Sequence, residues 1–313
     1  MKPAWVIVNP QAGGGQGARI IPELEKSLGA RGLDFSVHLT NAPGHARALA
    51  RAARSSAGRV LVAGGDGTIH EAAAGLLSAD DPAQEGGPIP PLAVLPVGTG
   101  NDFFRMVRST ETIEDAVAAL VEGVPRWFEV GEVTWGGGRR YFVNLLGVGI
   151  DVEVLRRRSA FGRLPGLLQY LAALASALTR FEPVPLRVVV GSGDGNSITL
   201  EGPALLSAVT VGPSVGGGFV LSPAATPDDG RLDLFHAEPL GLIKVLRYLP
   251  GILRGAGIQR PEISLCQGTN VHIERTDGVG LAFELDGELM EASTTPLVIQ
   301  VRPASLPILE VPR

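Results

Sequence analysis

Cysteine is nearly missing from this 313-residue chain: Cys266 stands alone. That excludes an internal disulfide framework and suits a reducing compartment. Lysine is scarce, at Lys2, Lys26 and Lys244, and aromatic residues make up 5% of the chain. With a net charge of −5, a nucleic-acid binder working by bulk electrostatics is excluded. No Gly-Lys-Ser/Thr triplet occurs, so there is no Walker A phosphate loop. The five histidines are scattered and make no zinc-type spacing with Cys266. Apolar runs stay short of the roughly 20 residues a membrane span requires. The uncharged stretch Leu164 to Thr179 carries Pro165, Gln169, Ser176 and Thr179, which reads as a buried or interfacial helix. A strand-like run begins at Ala4, two residues after Lys2, so no secretory leader is expected and the expected location is cytoplasmic.

What the chain has in quantity is hydrophobic residues, 45%, and glycine, 42 residues. Its length allows two domains or one large one. The first part alternates strand-like runs (Ala4–Val8, Phe35–Leu39, Val60–Ala63, Leu92–Leu95) with helical patterns (Gly17–Leu28, His45–Ala53, Ile69–Leu77). Such alternation predicts a parallel sheet flanked by helices, with a ligand crevice at the carboxyl ends of the strands. Asp80–Pro91 reads as a loop, and a further helix is predicted near Ile113–Glu122. After Gly123–Pro125 the texture becomes short β runs: Phe128–Thr134, Arg140–Leu145, Val184–Val190, Ala204–Val211, Leu232–His236, Val271–Glu274, Leu281–Leu285 and Leu297–Val301. Turn residues separate them, Gly191 to Asn196 being the plainest, which predicts packed antiparallel sheets. The expected plan is a Rossmann-like parallel α/β nucleotide-binding domain over 1–124 and an antiparallel β-sandwich-like domain over 125–313. Two apolar stripes interrupt the β half, one from Leu164 to Phe181 and one from Leu242 to Leu253. Each is read as cover for a sheet, the alternative being a wall for an acyl chain or a face resting on a bilayer. Arg156, Arg157, Arg158 and Arg163 beside the first stripe would suit anionic head groups, a solvated charge run being the plainer reading.

The densest signal is Val60-Leu61-Val62-Ala63-Gly64-Gly65-Asp66-Gly67-Thr68-Ile69-His70-Glu71. Glycines at a strand-to-helix junction let main-chain N–H groups approach a phosphate, and the helix N-terminus favours the anion. Asp66, in the middle, would repel phosphate unless it holds a divalent cation shared with the phosphates. Asn9-Pro10-Gln11-Ala12-Gly13-Gly14-Gly15 follows the first strand and offers a second glycine loop. Thr40 ends the second strand, where its hydroxyl can reach a base or ribose. Pro96 to Phe103 follows the fourth strand and brings Thr99, Asn101 and Asp102 to the same crevice. Far along the chain, Phe283-Glu284-Leu285-Asp286-Gly287-Glu288 places carboxylates beyond a strand. Phosphoryl transfer to an alcohol needs cradled phosphates, a metal and a base near the hydroxyl. The glycine-loop amides supply the first, Asp66 with Asp286 the second, and Glu288 the third.

Gly64–Thr68, Asn9–Gly15, Pro96–Asp102, Gly147-Val148-Gly149-Ile150-Asp151 and Asp286–Glu288, taken in order, resemble the diacylglycerol kinase catalytic-domain family, and more narrowly the bacterial soluble lipid kinases related to sphingosine and ceramide kinases. The resemblance runs from about Trp5 to Val301. It implies an ATP- and Mg2+-dependent kinase that phosphorylates the hydroxyl of a lipid alcohol, diacylglycerol-like or sphingoid, and works in peripheral contact with the inner membrane face. It puts nucleotide contacts at Asn9, Gly13, Gly14, Gly15, Thr40, Gly64, Gly65, Asp66, Gly67, Thr68, His70, Glu71, Thr99, Asn101 and Asp102. Glu288 matches the family's catalytic acidic residue and Asp286 its neighbour. A second, structural Mg2+ would rest on Asp229 with main-chain oxygens of Thr226 and Arg231; read without the family, Asp228-Asp229-Gly230 is a β-turn. His70 stands where many relatives have Asn, and His45 where many have Asp. NAD kinase shares a Gly-Gly-Asp-Gly loop and a two-domain plan, but not the Asn-Pro-x-Ala-Gly-Gly start. A catalytically silent lipid-binding module would be marked by loss of Asp66 or Glu288, and both are present.

Overall fold

The computed structural model describes residues 2–77, 88–98, 100–107, 111–162, 164, 166–256, 258–291, 294 and 296–312. Most of the predicted loop Asp80–Pro91, together with Thr99 and Arg163, lies outside them. The chain divides into two compact units: Met1–Phe128 with Ala304–Arg313, and Glu129–Pro303.

In the first unit, β1 (Ala4–Val8), β2 (Phe35–Leu39), β3 (Arg59–Gly64) and β4 (Leu92–Pro96) form a parallel sheet in the order β2-β1-β3-β4. Its helices are α1 (Ala12–Arg19), α2 (Ile21–Ala30), α3 (His45–Ser56), α4 (Asp66–Leu77) and α5 (Ile113–Glu122). Buried strands read as continuous apolar runs because both faces are covered. Val6 and Val8 pack with Leu24 and Leu28 of α2 and Val117 and Leu120 of α5. Alternation turns the fully buried Ile7 to the opposite face. The helix predicted as one piece over Gly17–Leu28 is two. Gly13, Gly14 and Gly15 take left-handed φ of 59°, 66° and 92°, and α2 restarts after Ile20 with a proline in its first turn. α5 starts where Thr112 accepts the Asp115 N–H.

The second unit is built on two sheets. β5 (Val124–Trp135), begun in the first unit, pairs with β6 (Gly138–Phe142). An antiparallel six-stranded sheet contains β7 (Leu145–Gly149), β10 (Leu206–Thr210), β13 (Leu232–Ala237), β14 (Ile263–Gly268), β16 (Ala282–Leu285) and β17 (Glu288–Glu291), in the order β14-β13-β10-β7-β16-β17. Facing it are β8 (Val184–Gly191), β9 (Ser197–Ala204), β15 (Asn270–Arg275) and the first half of β18 (Leu297–Glu310). A short hairpin joins β11 (Ser214–Val215) and β12 (Phe219–Val220). Val148, Val209, Leu234 and Phe283 from one sheet meet Val188, Val190, Ile273 and Ile299 from the other in a dry core. On the far face of the six-stranded sheet lie α6 (Ile150–Arg158), α7 (Gly166–Leu178) and α8 (Leu242–Arg254), packed with Ala208, Phe235 and Ala237. Most of each stripe seen in the sequence therefore covers a sheet, while Leu164, Leu168, Leu242 and Leu246 are exposed. One expectation changes: the run Arg140–Leu145 is interrupted between β6 and β7. The charged run ending at Arg158 is the last turn of α6.

Candidate active site

Strand register gathers the loops of the first unit. Val8 lies opposite Ala63, and Ala63 opposite Leu95. The loops after β1, β3 and β4 therefore leave the carboxyl edge side by side, at the point where strand order reverses about β1. Asn9 Nδ2 donates to Thr68 Oγ1 at 3.0 Å, and Asn9 Oδ1 takes the Gln11 N–H at 3.0 Å. A Cβ on Gly13 would stand 2.9 Å from the Val97 carbonyl oxygen, and one on Gly98 2.9 Å from Gly65 Cα. The three loops thus meet main chain to main chain, leaving bare amides for an anion to approach.

Asp66 opens α4. Its Oδ1 accepts the Phe103 N–H at 3.1 Å, which fixes the loop after β4; its second oxygen has no partner among the described residues. The Gly65 carbonyl takes the N–H groups of Thr68 and Ile69 at 2.9 and 3.2 Å, leaving the amides of Asp66 and Gly67 at the helix start. Thr40 continues β2, its N–H bonded to the Val8 carbonyl at 2.9 Å. Thr99 lies outside the described residues.

The remaining predicted contacts are held in particular ways. Glu71 accepts the Gly44 and Ala46 N–H groups at 2.8 and 3.2 Å, so its carboxylate serves the N-terminus of α3. His70 is buried on α4, edge-on to Phe103 with ring centres 6.4 Å apart. His45 Nδ1 accepts the Asn41 N–H at 3.2 Å. Asn101 has φ +54° and reaches Glu111 Oε1 at 3.4 Å. Asp102 is buried and pairs with Arg105 at 3.2 Å, whose other nitrogen donates to the Gly100 carbonyl at 3.1 Å. Sequence reading passed over Arg105; its only signal was the three-residue spacing from Asp102.

In the second unit Asp286 and Gly287 are the corner of the β16–β17 hairpin, with φ +49° and +89°. Both central residues are left-handed, the conformation an Asp-Gly hairpin turn requires. Asp286 Oδ2 accepts Val143 N–H at 2.8 Å, and Oδ1 accepts Asn144 and Leu145 N–H at 3.0 and 2.8 Å. Glu288 is exposed, opposite Leu285. Behind the hairpin is an acid pair to which sequence reading gave no role. Asp151 and Glu284 are 4% and 9% exposed, and a Cβ on Gly147 would meet Asp151 Oδ2 and come within 3.2 Å of Glu284 Cγ. Burial pushes Asp151 up to about 7. Burial and then the charges of Asp151 and Asp286 push Glu284 well above the carboxylate range.

The Thr226–Asp233 stretch folds as a turn: Asp229 Oδ1 takes the Arg231 N–H at 2.9 Å. Glu129 Oε2 takes the Gly230 N–H at 2.5 Å, and Gln267 donates to Asp233 Oδ1 at 3.0 Å. Glu129 Oε1 and Asp233 Oδ2 are buried without hydrogen-bond partners among the described residues. Burial, with the Asp229 charge beside it, raises Glu129 to about 8 and Asp233 to about 6. Among the described residues no three metal-binding side chains are poised together around one point.

Residues 3–133 match the family described as diacylglycerol kinase catalytic domain, and residues 144–310 the YegS C-terminal NAD kinase beta sandwich-like domain. A diacylglycerol kinase of Bacillus subtilis (strain 168) is 30% identical over 291 residues, 92% of this chain and 90% of that protein. A diacylglycerol kinase of Mycobacterium tuberculosis (strain ATCC 25618 / H37Rv) is 29% identical over 309 residues, 97% of this chain and 93% of that one. A crystal structure of a diacylglycerol kinase from Bacillus anthracis str. Sterne superposes with a TM-score of 0.70 at 23% identity, over 99% of this chain and 97% of that one.

Proposed function

Since the chain belongs to the diacylglycerol kinase catalytic-domain family of lipid kinases, we propose that it transfers the γ-phosphoryl group of ATP, with Mg2+, to the hydroxyl of a lipid alcohol of the diacylglycerol or sphingoid kind. The observation that carries this reading is the meeting of three glycine-bearing loops and Asp66 at the switch point of the first unit. Bare amides and a helix start suit the triphosphate, and the free oxygen of Asp66 suits a cation on it. Bound Mg2+ would neutralise charge on the phosphates. Asn9 and Thr68, bonded to each other, hold the loops at a fixed spacing. Glu288, exposed on its hairpin, takes the acceptor's proton as the new O–P bond forms and the bond to the β-phosphate oxygen breaks, leaving ADP. Asp286 orients that hairpin through its three main-chain bonds.

For a second Mg2+ near Asp229, the support is the chemistry of the donor set: among the described residues, buried oxygens of Glu129 and Asp233 lack hydrogen-bond partners, and a cation would offset the Asp229 charge that acts on both. Thr226 and Arg231 would add main-chain oxygens. No described helix is long and apolar enough to cross a membrane, and we place the enzyme in the cytoplasm, meeting its acceptor at the membrane surface.

The test is incubation with labelled ATP, Mg2+ and a panel of lipid alcohols in detergent micelles, followed by identification of the labelled product. A phosphorylated lipid is expected, with turnover falling at least about 100-fold in Asp66→Asn. Absence of any labelled lipid, or undiminished turnover by that variant, would overturn the reading.

A further inference from the structure

We infer that the outward face of α8 (Leu242–Arg254) docks on an anionic bilayer surface. α8 has two stripes. Val245, Tyr248, Leu249, Ile252 and Leu253 pack on the sheet below, which fixes the helix's rotation. The opposite stripe, at the same three- and four-residue spacing, is Ile243, Leu246, Arg247, Pro250 and Arg254, all exposed. Ile243 is 83% exposed, more than any other large apolar side chain among the described residues, and on the same helix Leu246 and Leu242 are 53% and 40% exposed. Three large apolar side chains on one turn and its neighbour are costly in water unless something covers them.

Charge identifies what covers them. Between Glu238 and Glu262 the chain has no acidic residue and four cations, Lys244, Arg247, Arg254 and Arg260, although the whole molecule carries −5. Lys244 is taken by Glu262 at 2.6 Å and Arg260 lies over the Tyr248 ring at 5.1 Å. Both contacts fasten the helix to its own unit. Arg247 and Arg254 have no partner among the described residues and stand in the stripe with Ile243 and Leu246. Exposed aliphatic side chains interleaved with unpaired guanidinium groups match the acyl boundary and head groups of an anionic leaflet. The helix is 13 residues long, about 20 Å, enough to lie in the interface and too short to span it. An acceptor that is a lipid gives the protein a reason to be there, and only in that respect does the inference rest on the lipid-kinase reading.

The experiment is co-sedimentation of the full chain with sucrose-loaded vesicles, without nucleotide or acceptor lipid. One set is phosphatidylcholine alone and the other contains phosphatidylglycerol as well. Binding to the mixed vesicles is expected, weakened by salt, with little to phosphatidylcholine alone. Ile243→Ser with Leu246→Ser should lower the partition coefficient roughly tenfold or more. Arg247→Glu with Arg254→Glu should abolish the preference for phosphatidylglycerol. All four side chains are exposed, and thermal melts of each variant check the fold; should one variant fail to fold, the other still decides. Equal sedimentation of wild type and both variants would overturn the inference. So would a failure of the wild type to bind either vesicle, including the case in which the serine variant dissociates a dimer of the free protein. A protein that binds vesicles through this face yet phosphorylates no lipid would refute the kinase reading and leave the docking face standing.

Discussion

Asp286 accepts main-chain N–H bonds from Val143, Asn144 and Leu145, and an amide at that position would turn an NH2 group toward at least one of those donors. Hydrogen bonds to a carboxylate and donors left without acceptors each count for 1–3 kcal/mol, so Asp286→Asn should lower unfolding free energy by about 2–3 kcal/mol in urea titrations. Glu288 is exposed, and Glu288→Gln should change stability by less than about 0.5 kcal/mol while lowering turnover at least about 100-fold. A reversed pattern in the two assays would exchange the roles. The sequence shows both carboxylates two residues apart but not the segment around Val143 that occupies one of them, because that contact is made by the fold. Asp151 and Glu284 were equally hidden: each lies in a quoted motif, and only burial shows that they share a site. Facing Glu284 are Asp151, Asp286 and, at lower strength, Arg158. Asp151 is raised to about 7 from 3.8, so the folded state holds protons that the unfolded chain has already released. Stability contributed by this pair is therefore complete below about pH 4 and declines as pH rises toward 7. Glu284→Gln should flatten the fall in Tm across that interval, measured by calorimetry in matched buffers.

At the scale of elements, α3 begins at Gly44 with left-handed φ of 82° and no side-chain cap of its own. Glu71, from the second turn of α4, supplies the missing acceptors to Gly44 and Ala46. A carboxylate at a helix N-terminus also interacts favourably with the helix dipole. Glu71→Gln should cost about 1 kcal/mol and Glu71→Ala about 2 kcal/mol, read from denaturant midpoints. A Gln variant as stable as wild type would show that the dipole contributes little here. The strands of the first unit were legible because buried parallel strands are short apolar runs closed by glycine or proline, as at Gly64 and Pro96. The break between α1 and α2 was not, since Ile20 and Pro22 sit inside a spacing that otherwise continues from Gly17 to Leu28. α6 was missed for a different reason. Its last turn is Arg156–Arg158, and the buried Ile150, Val152 and Val154 alternate as a strand would. β14 was missed because Ile263 and Gly268 are its only buried residues, too few to mark a period.

At the scale of the whole chain, the first unit is discontinuous: Ala304–Arg313 returns to it from the far end. Ile308 lies opposite Leu92 in a parallel pair, and Glu310 meets Arg126 at 3.3 Å. Sequence reading carried the β half through to residue 313, because a strand that leaves one unit and enters another has one unbroken β pattern in Leu297–Glu310. Leu306, Ile308 and Leu309 are 0–1% exposed. Burying three such side chains stabilises the first unit by roughly 5–8 kcal/mol at most, comparable to the whole net stability of a domain. Deleting residues 304–313 should therefore unfold the loops proposed to hold ATP while the sandwich core, whose side chains lie within Glu129–Pro303, persists. Limited trypsin digestion of the truncated protein should remove the first 128 residues early and leave a resistant fragment from the β unit. Protection of both parts equal to that of the full chain would mean that the returning strand adds little to the stability of the first unit.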